Sequence, residues 1–420
     1  MNIAARAISG VPMRARLTAM MFAQYFAIGA WLSPLGAYMS KKLQFDGSIG
    51  TAYGMLGFAA IVSALFVGTI ADRYYAAQKM FGLLALAAGL SLFWLSTIEH
   101  SKSLFLAVMA LHCLFFMPLV PLATAISFSA LERPAAQFPL VRAGGTAGWI
   151  VAGLLIGAIP GATQSDLPMR IAAVTDLLLA LYAFTLPNTP PKARGGKLDL
   201  LGVLGLDIIF HTRDRNFWVL MGCMLAVAVP SAAYNSYASN FLVESGMVLR
   251  IGGLRLEPAG ILTLGNLFEI GFLAVLPALL KRLGIKNVML IGMAAWIVRF
   301  GLFSWGWRLH HNGQALLLAA ITLHGVSFDF LFVSSQIFIN NKFADTARVR
   351  AQSFLSLVCN GVGVIVGANL VGVIYKAATI SPGNHDWPLL WLAPAALVAL
   401  IMPLFALSFR VVKPVPGAAP

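Results

Sequence analysis

Apolar residues fill stretches of about 20 residues that follow one another along this chain, each long enough to cross a hydrocarbon core as a helix. Twelve such stretches can be counted, at 15–39, 48–71, 80–97, 103–130, 138–160, 168–187, 216–243, 256–280, 286–306, 313–338, 350–378 and 385–411. The pattern predicts an all-α integral membrane protein with twelve transmembrane helices.

Polar runs between the spans are short, with one exception. Residues 188–215, NTPPKARGGKLDLLGVLGLDIIFHTRDR, separate six spans from six. The expected organisation is an N-terminal six-helix half at 1–187, a cytoplasmic linker at 188–215, a C-terminal six-helix half at 216–411 and a cytoplasmic tail at 412–420. Pro, Gly and Lys at the start of the linker predict a flexible tether. LDLLGVLGLDIIF then predicts a short amphipathic helix at the membrane interface. Arg6, Arg14 and Arg16 precede the first apolar run as in a signal peptide, but that run is too long and further spans follow, so it reads as an uncleaved first helix.

The halves echo one another. Each has a short basic loop after its second span, GTIADRYYAAQK at 68–79 and LLKRLGIKN at 279–287. Each has a glycine-rich fifth span, GGTAGWIVAGLLIGAI at 144–159 and NGVGVIVGANLVGVI at 360–374, where small residues let helix backbones approach closely. Two similar halves suit a transporter with a site near the bilayer midplane.

Composition agrees. The chain is 59% hydrophobic and 10% charged, with a mean hydropathy of +0.84, whereas a soluble domain carries about 25% charged residues. The net charge of +14 invites a nucleic-acid reading, but placement argues against one. Roughly two-thirds of all Lys and Arg fall in alternate loops, which the positive-inside rule makes cytoplasmic. Both termini are then cytoplasmic, and anionic lipid is the expected partner of the basic surface. Cys113, Cys223 and Cys359 lie within predicted spans without metal-like spacing and read as buried apolar residues.

Ionisable residues inside the spans are few: Arg142, Asp176, Glu269, Arg299 and Asp329, with His112 and His324. Such groups are costly in lipid and normally face a cavity or a partner. Arg142, Thr146 and Trp149 share one face of the fifth span, and Asn266 and Glu269 share one face of the eighth. Asn235, Tyr234 and Tyr237 add an amide and rings in the seventh. In the tenth, His324 and Phe328 share a face while Asp329 lies about 140° from His324, so a common cavity requires a bend, expected at Gly325. Structural readings compete: Arg142 snorkelling to the interface, Arg299 pairing with a carboxylate, His112, Trp149 and Tyr234 as packing residues, and Asp176 as a hydrogen-bonding group or a second proton site. Burial and a nearby arginine act on a carboxyl group in opposite senses. A group between these influences can exchange a proton, which makes Glu269 and Asp329 candidate proton-coupling residues.

GTIADR, with Gly68, Asp72 and Arg73, resembles the G-x-x-x-D-R loop signature of the major facilitator superfamily, which implies that Asp72 and Arg73 gate the cytoplasmic face. More of the chain resembles the bacterial nucleoside:proton symporters of that superfamily, the NupG and XapB type. The similar stretches are FDGSIGTAYGMLG at 45–57, FPLVRAGGTAGW at 138–149, LGLDIIF at 204–210, LGIKNVMLIGMAAWIVRFGLF at 283–303 and HGVSFDF at 324–330. The resemblance implies the major facilitator fold and a substrate site of Arg142, Thr146, Trp149, Asn235, Asn266, Glu269, Phe328 and Asp329. His324 stands where the family has a Tyr, Asn266 where it has a Gln, and Ala232 where it has a further Gln.

The function expected is proton-coupled nucleoside import by alternating access in the bacterial inner membrane, with nucleoside and protons as partners, no metal or organic cofactor, no nucleic acid, and a monomer. A sugar or small organic acid is the alternative cargo. A membrane-embedded enzyme is the alternative class, but no H-E-x-x-H or comparable catalytic cluster is present.

Overall fold

The computed structural model describes residues 12–67, 75–190, 200–381 and 383–410. It is mostly helical, and nine helical runs among these residues are long and apolar enough to cross a membrane. A chain that must satisfy its backbone within lipid has helices as its simplest solution.

In chain order the first elements are α1 (Met13–Leu32), α2 (Leu35–Lys41), α3 (Ile49–Phe66), α4 (Ala77–Leu95), α5 (Lys102–Phe116) and α6 (Leu119–Ala130). Then come α7 (Pro134–Ala158), α8 (Leu167–Ala183), α9 (Leu200–Val203), α10 (Ile208–His211), α11 (Arg215–Glu244) and α12 (Pro258–Arg308). The chain ends with α13 (Gln314–Thr322), α14 (His324–Lys342), α15 (Asp345–Ser356), α16 (Gly363–Ala377) and α17 (Trp387–Ser408).

Several predicted spans are interrupted. Pro34 separates α1 from α2, and Pro118 separates α5 from α6, because proline brings no N–H to the helix ladder. The 51-residue α12 covers two predicted spans and changes direction at Gly284, where φ is 77° and ψ is 160°. A π turn at Leu357–Val362 joins α15 to α16. Two hairpins were not anticipated. Leu249–Ile251 pairs with Leu254–Leu256 through Gly252 and Gly253, both at positive φ, as a tight primed turn demands. Thr379–Ser381 pairs with Asn384–His385.

Helices from the first and last parts of the chain meet along three seams: α3 with α16, α7 with α12, and α2 with α11. Glycines make these approaches possible. A Cβ on Gly157 would sit 2.3 Å from the backbone nitrogen of Gly260. Large apolar side chains such as Leu178, Leu181, Leu404 and Leu407 point away from the protein, as a lipid-facing surface requires.

The linker helices α9 and α10 contact α15. Asp207 pairs with Arg350 at 2.5 Å, and Gly205, at φ 69°, leaves no room for a Cβ beside the Arg350 carbonyl. The single amphipathic helix expected for this stretch is thus two short turns docked through an ion pair, with Leu200, Leu201, Ile209 and Phe210 still exposed.

Candidate functional site

Two adjoining cavities lie where the seams converge. The larger, of about 330 Å3, is lined by Tyr53, Trp149, Asn235, Phe328 and Asn360 among others. The smaller, of about 70 Å3, is lined by Trp149, Tyr234, Asn235, Thr263, Asn266 and His324. Trp149 and Asn235 belong to both. A mostly apolar space with a few convergent polar groups is the usual form of a small-molecule site.

Local sequence explains the shape. Pro230 lies inside α11 one turn before Tyr234 and Asn235, where it removes a helix hydrogen bond and eases bending. Gly325, in the first turn of α14, lies against α12 so closely that a Cβ would come within 2.6 Å of the Glu269 Cα. The bend itself is two residues earlier than expected. Helix α13 ends at Thr322 and α14 starts at His324, with Leu323 at φ −71° and ψ 2° between them.

The bend puts His324 and Phe328 on the cavity wall. The His324 ring stacks on Tyr234 at 5.1 Å and on Phe328 at 5.8 Å. Glu269 is half-buried beside them. The Asn266 amide donates to its Oε2 at 3.2 Å, and His324 Nε2 stands 3.7 Å from the same oxygen. Arg142 is within electrostatic reach of Glu269, and its guanidinium covers the Tyr25 ring at 4.1 Å.

Six of the residues singled out from sequence therefore line these cavities: Trp149, Tyr234, Asn235, Asn266, His324 and Phe328. Glu269 joins them through Asn266 and His324. Arg142 and Thr146 do not line either cavity, and neither does Asp329. Asp329 is buried at 3% exposure behind the wall, its Oδ2 has no hydrogen-bond partner among the described residues, and it lies within electrostatic reach of Glu269. Asp72 and Arg73 fall outside the described residues.

Two sequence expectations change. Arg299 does not pair with a carboxylate among the described residues; it donates to the Ala320 carbonyl and the Ser327 hydroxyl and lies over Tyr234. His112 is only half satisfied, with Nδ1 near Ser91 Oγ and the Ala88 carbonyl while Nε2 has no partner among the described residues. Tyr53, Ser231, Thr263 and Asn360 line the cavities and were missed. For Asn360 the signal was available: an amide inside an apolar span, passed over because the glycines around it read as packing.

Residues 11–413 match the family described as nucleoside H+ symporter. The chain belongs to the nucleoside H+ symporter family. It is 36% identical to the YegT protein of Escherichia coli (strain K12) over 94% of this chain and 93% of that one. It is 32% identical to the xanthosine permease of the same organism over 94% of this chain and 95% of that one. The crystal structure of a mutant of the nucleoside transporter NupG superposes with a TM-score of 0.87 at 26% identity, covering 95% of this chain and all of that one.

As a nucleoside H+ symporter, the protein is a multi-pass membrane transporter and not an enzyme. Its activity is proton-coupled nucleoside import, with alternating access following from the fold.

Proposed function

We infer that the shared cavity is the nucleoside site and that Glu269 joins it to the proton path. Trp149 and Phe328 flank the base by stacking. Asn235, Asn266 and His324 hydrogen-bond its edge or the ribose hydroxyls, together with Glu269. Arg142 and Thr146 complete the polar wall in the substrate-bound state, and Asp329 with Glu269 takes the proton. Ligand and proton each bias the same two-state equilibrium, which is all that coupling requires.

One observation carries this reading. The Glu269 carboxylate is approached by Asn266 and His324, which both line the cavity, while the unpartnered Asp329 lies within electrostatic reach from behind. An acid so placed answers to substrate and to proton.

The finer architecture belongs to the same reading. Twelve spans are the reading we favour: the kink at Gly284 supports taking α12 as two, with α1 and α8 added to the nine apolar runs. These form two sets of six, 1–187 and 216–411, joined by the linker at 188–215. The basic loops support cytoplasmic termini and a cytoplasmic 412–420 tail, with the protein in a bacterial inner membrane. Asp72 and Arg73 latch the cytoplasmic face.

The test is calorimetric binding to purified protein. Uridine or adenosine binds and is not displaced by excess glucose or lactate, and Trp149→Ala weakens that binding. Displacement of the nucleoside by a sugar or an organic acid contradicts the assignment.

A further inference from the structure

Arg299 has no place in the scheme above, although it is among the largest fully buried side chains of the protein. Its guanidinium makes three contacts of different kinds. Nε donates to the Ala320 carbonyl at 2.9 Å, Nη1 donates to Ser327 Oγ at 3.2 Å, and the planar group lies 3.7 Å from the centre of the Tyr234 ring. Trp296 and Phe303 extend the aromatic surround at 5.4 and 5.8 Å. Among the described residues no carboxylate comes within ion-pair distance of it.

The two hydrogen-bond acceptors straddle the bend. Ala320 is on α13, before Leu323, and Ser327 is in the first turn of α14, after it. One side chain therefore holds both arms of the bend that turns His324 into the cavity. The third contact leads to the same place. Tyr234 stands between Arg299 and His324, and the stack continues through Phe328 to Phe332 at 4.2 Å. Tyr234, His324 and Phe328 all line the cavities, whereas Arg299 lines neither.

Only an arginine suits this task. A planar fork presents several donors in fixed directions and still covers an aromatic face, whereas a lysine offers a compact charge that does one or the other. Ser327 is itself fixed, donating to the His324 carbonyl at 2.9 Å. The clamp thus closes on the backbone of the residue it orients.

We propose that Arg299 is a positioning residue for the substrate, setting the bend at Leu323 and the tilt of the Tyr234–His324 stack so that these rings form one wall of the nucleoside site. It touches no substrate and moves no proton. Its loss disorders the wall, weakening substrate affinity while leaving the coupling groups Glu269 and Asp329 in place. This inference rests on the nucleoside site proposed above.

The experiment measures uridine exchange and proton-driven uridine accumulation in liposomes for wild type, Arg299→Lys, Tyr234→Ala and the double variant. Unfolding midpoints are measured with and without uridine. Arg299→Lys is expected to raise KM about tenfold, with exchange Vmax and the accumulation ratio at saturating uridine within twofold of wild type. Tyr234→Ala raises KM as well, and the double variant is no worse than the poorer single one, because both act on the same wall. Uridine stabilises the variants less than wild type at equal concentration. An unchanged KM in Arg299→Lys with a lowered unfolding midpoint means a purely structural arginine and overturns the inference. Should Arg299→Lys fail to insert, Tyr234→Ala decides: an unchanged KM overturns the inference as well. KM effects that multiply independently in the double variant also overturn it. Absence of nucleoside exchange by the wild type overturns the site assignment itself, which distinguishes that failure from the others.

Discussion

Lys41 Nζ and Glu244 Oε1 meet at 2.8 Å, tying the end of α2 to the end of α11 across more than two hundred residues of chain. Glu244 also accepts from the Trp387 indole at 2.7 Å and contacts His385 Nδ1 at 2.7 Å. A second chain of contacts runs from Asn240 to the Tyr375 hydroxyl and on to Asp46. Asn235 lines the cavity on the same helix as Asn240 and Glu244, which lie about one and a half and two and a half turns further along. The network therefore joins α2, α11 and α17 beyond the cavity-lining part of α11.

Breaking that network is expected to open the cavity from the Lys41 end. With Cys113 and Cys223 replaced by alanine, Cys359 on the cavity wall is the reporter. Lys41→Met is expected to speed labelling of Cys359 by a membrane-impermeant thiol reagent added outside cells by about tenfold. Unchanged labelling means that the seal lies elsewhere.

The proposed stacking of the base on Trp149 and Phe328 has a measurable consequence. Alanine at Trp149 or Phe328 is expected to cost about 1–3 kcal/mol of binding, the range measured for a base on an aromatic side chain. Titration calorimetry with uridine reads this as a rise in Kd of roughly 5- to 150-fold.

Glycine at 325 is a packing requirement. A Cβ there meets the Glu269 Cα at 2.6 Å, whereas one at Gly222 meets nothing within 4 Å. Gly325→Ala is expected to destabilise by about 1–3 kcal/mol through overpacking. Gly222→Ala is neutral or slightly stabilising, since alanine favours a helix over glycine. Thermal unfolding of the two variants in detergent compares them directly.

The linker is docked rather than free where it meets α15. Gly205→Ala places a Cβ against the Arg350 carbonyl and should release the contact that Asp207 makes with Arg350. Limited digestion with trypsin is expected to cut the 188–215 stretch faster in this variant than in wild type.

Much of this site could be read before any coordinates. Helical spacing put Asn266 and Glu269 on one face, and they are hydrogen-bonded. Intramembrane polarity picked out Asn235 and His324, and both line the cavity. What escaped was whatever depended on the partner across a helix interface. Arg299 was matched with a carboxylate because side chains are visible in a sequence and carbonyl groups such as that of Ala320 are not. The bend was assigned to Gly325, yet the smallness of that residue serves contact with Glu269 while Leu323 takes the irregular dihedrals. Glu244 drew no attention at the end of its span, because Lys41 and His385 are brought to it only by tertiary packing.

Asp329 and Glu269 are proposed to couple protons to nucleoside movement, and transport by Asp329→Asn tests this. Purified wild type and Asp329→Asn are placed in liposomes, and labelled uridine is followed with an inward proton gradient and, separately, in exchange without one. Gradient-driven accumulation is expected of wild type, and exchange without accumulation of Asp329→Asn. Accumulation by the variant equal to that of wild type contradicts the account and moves the proton to another group.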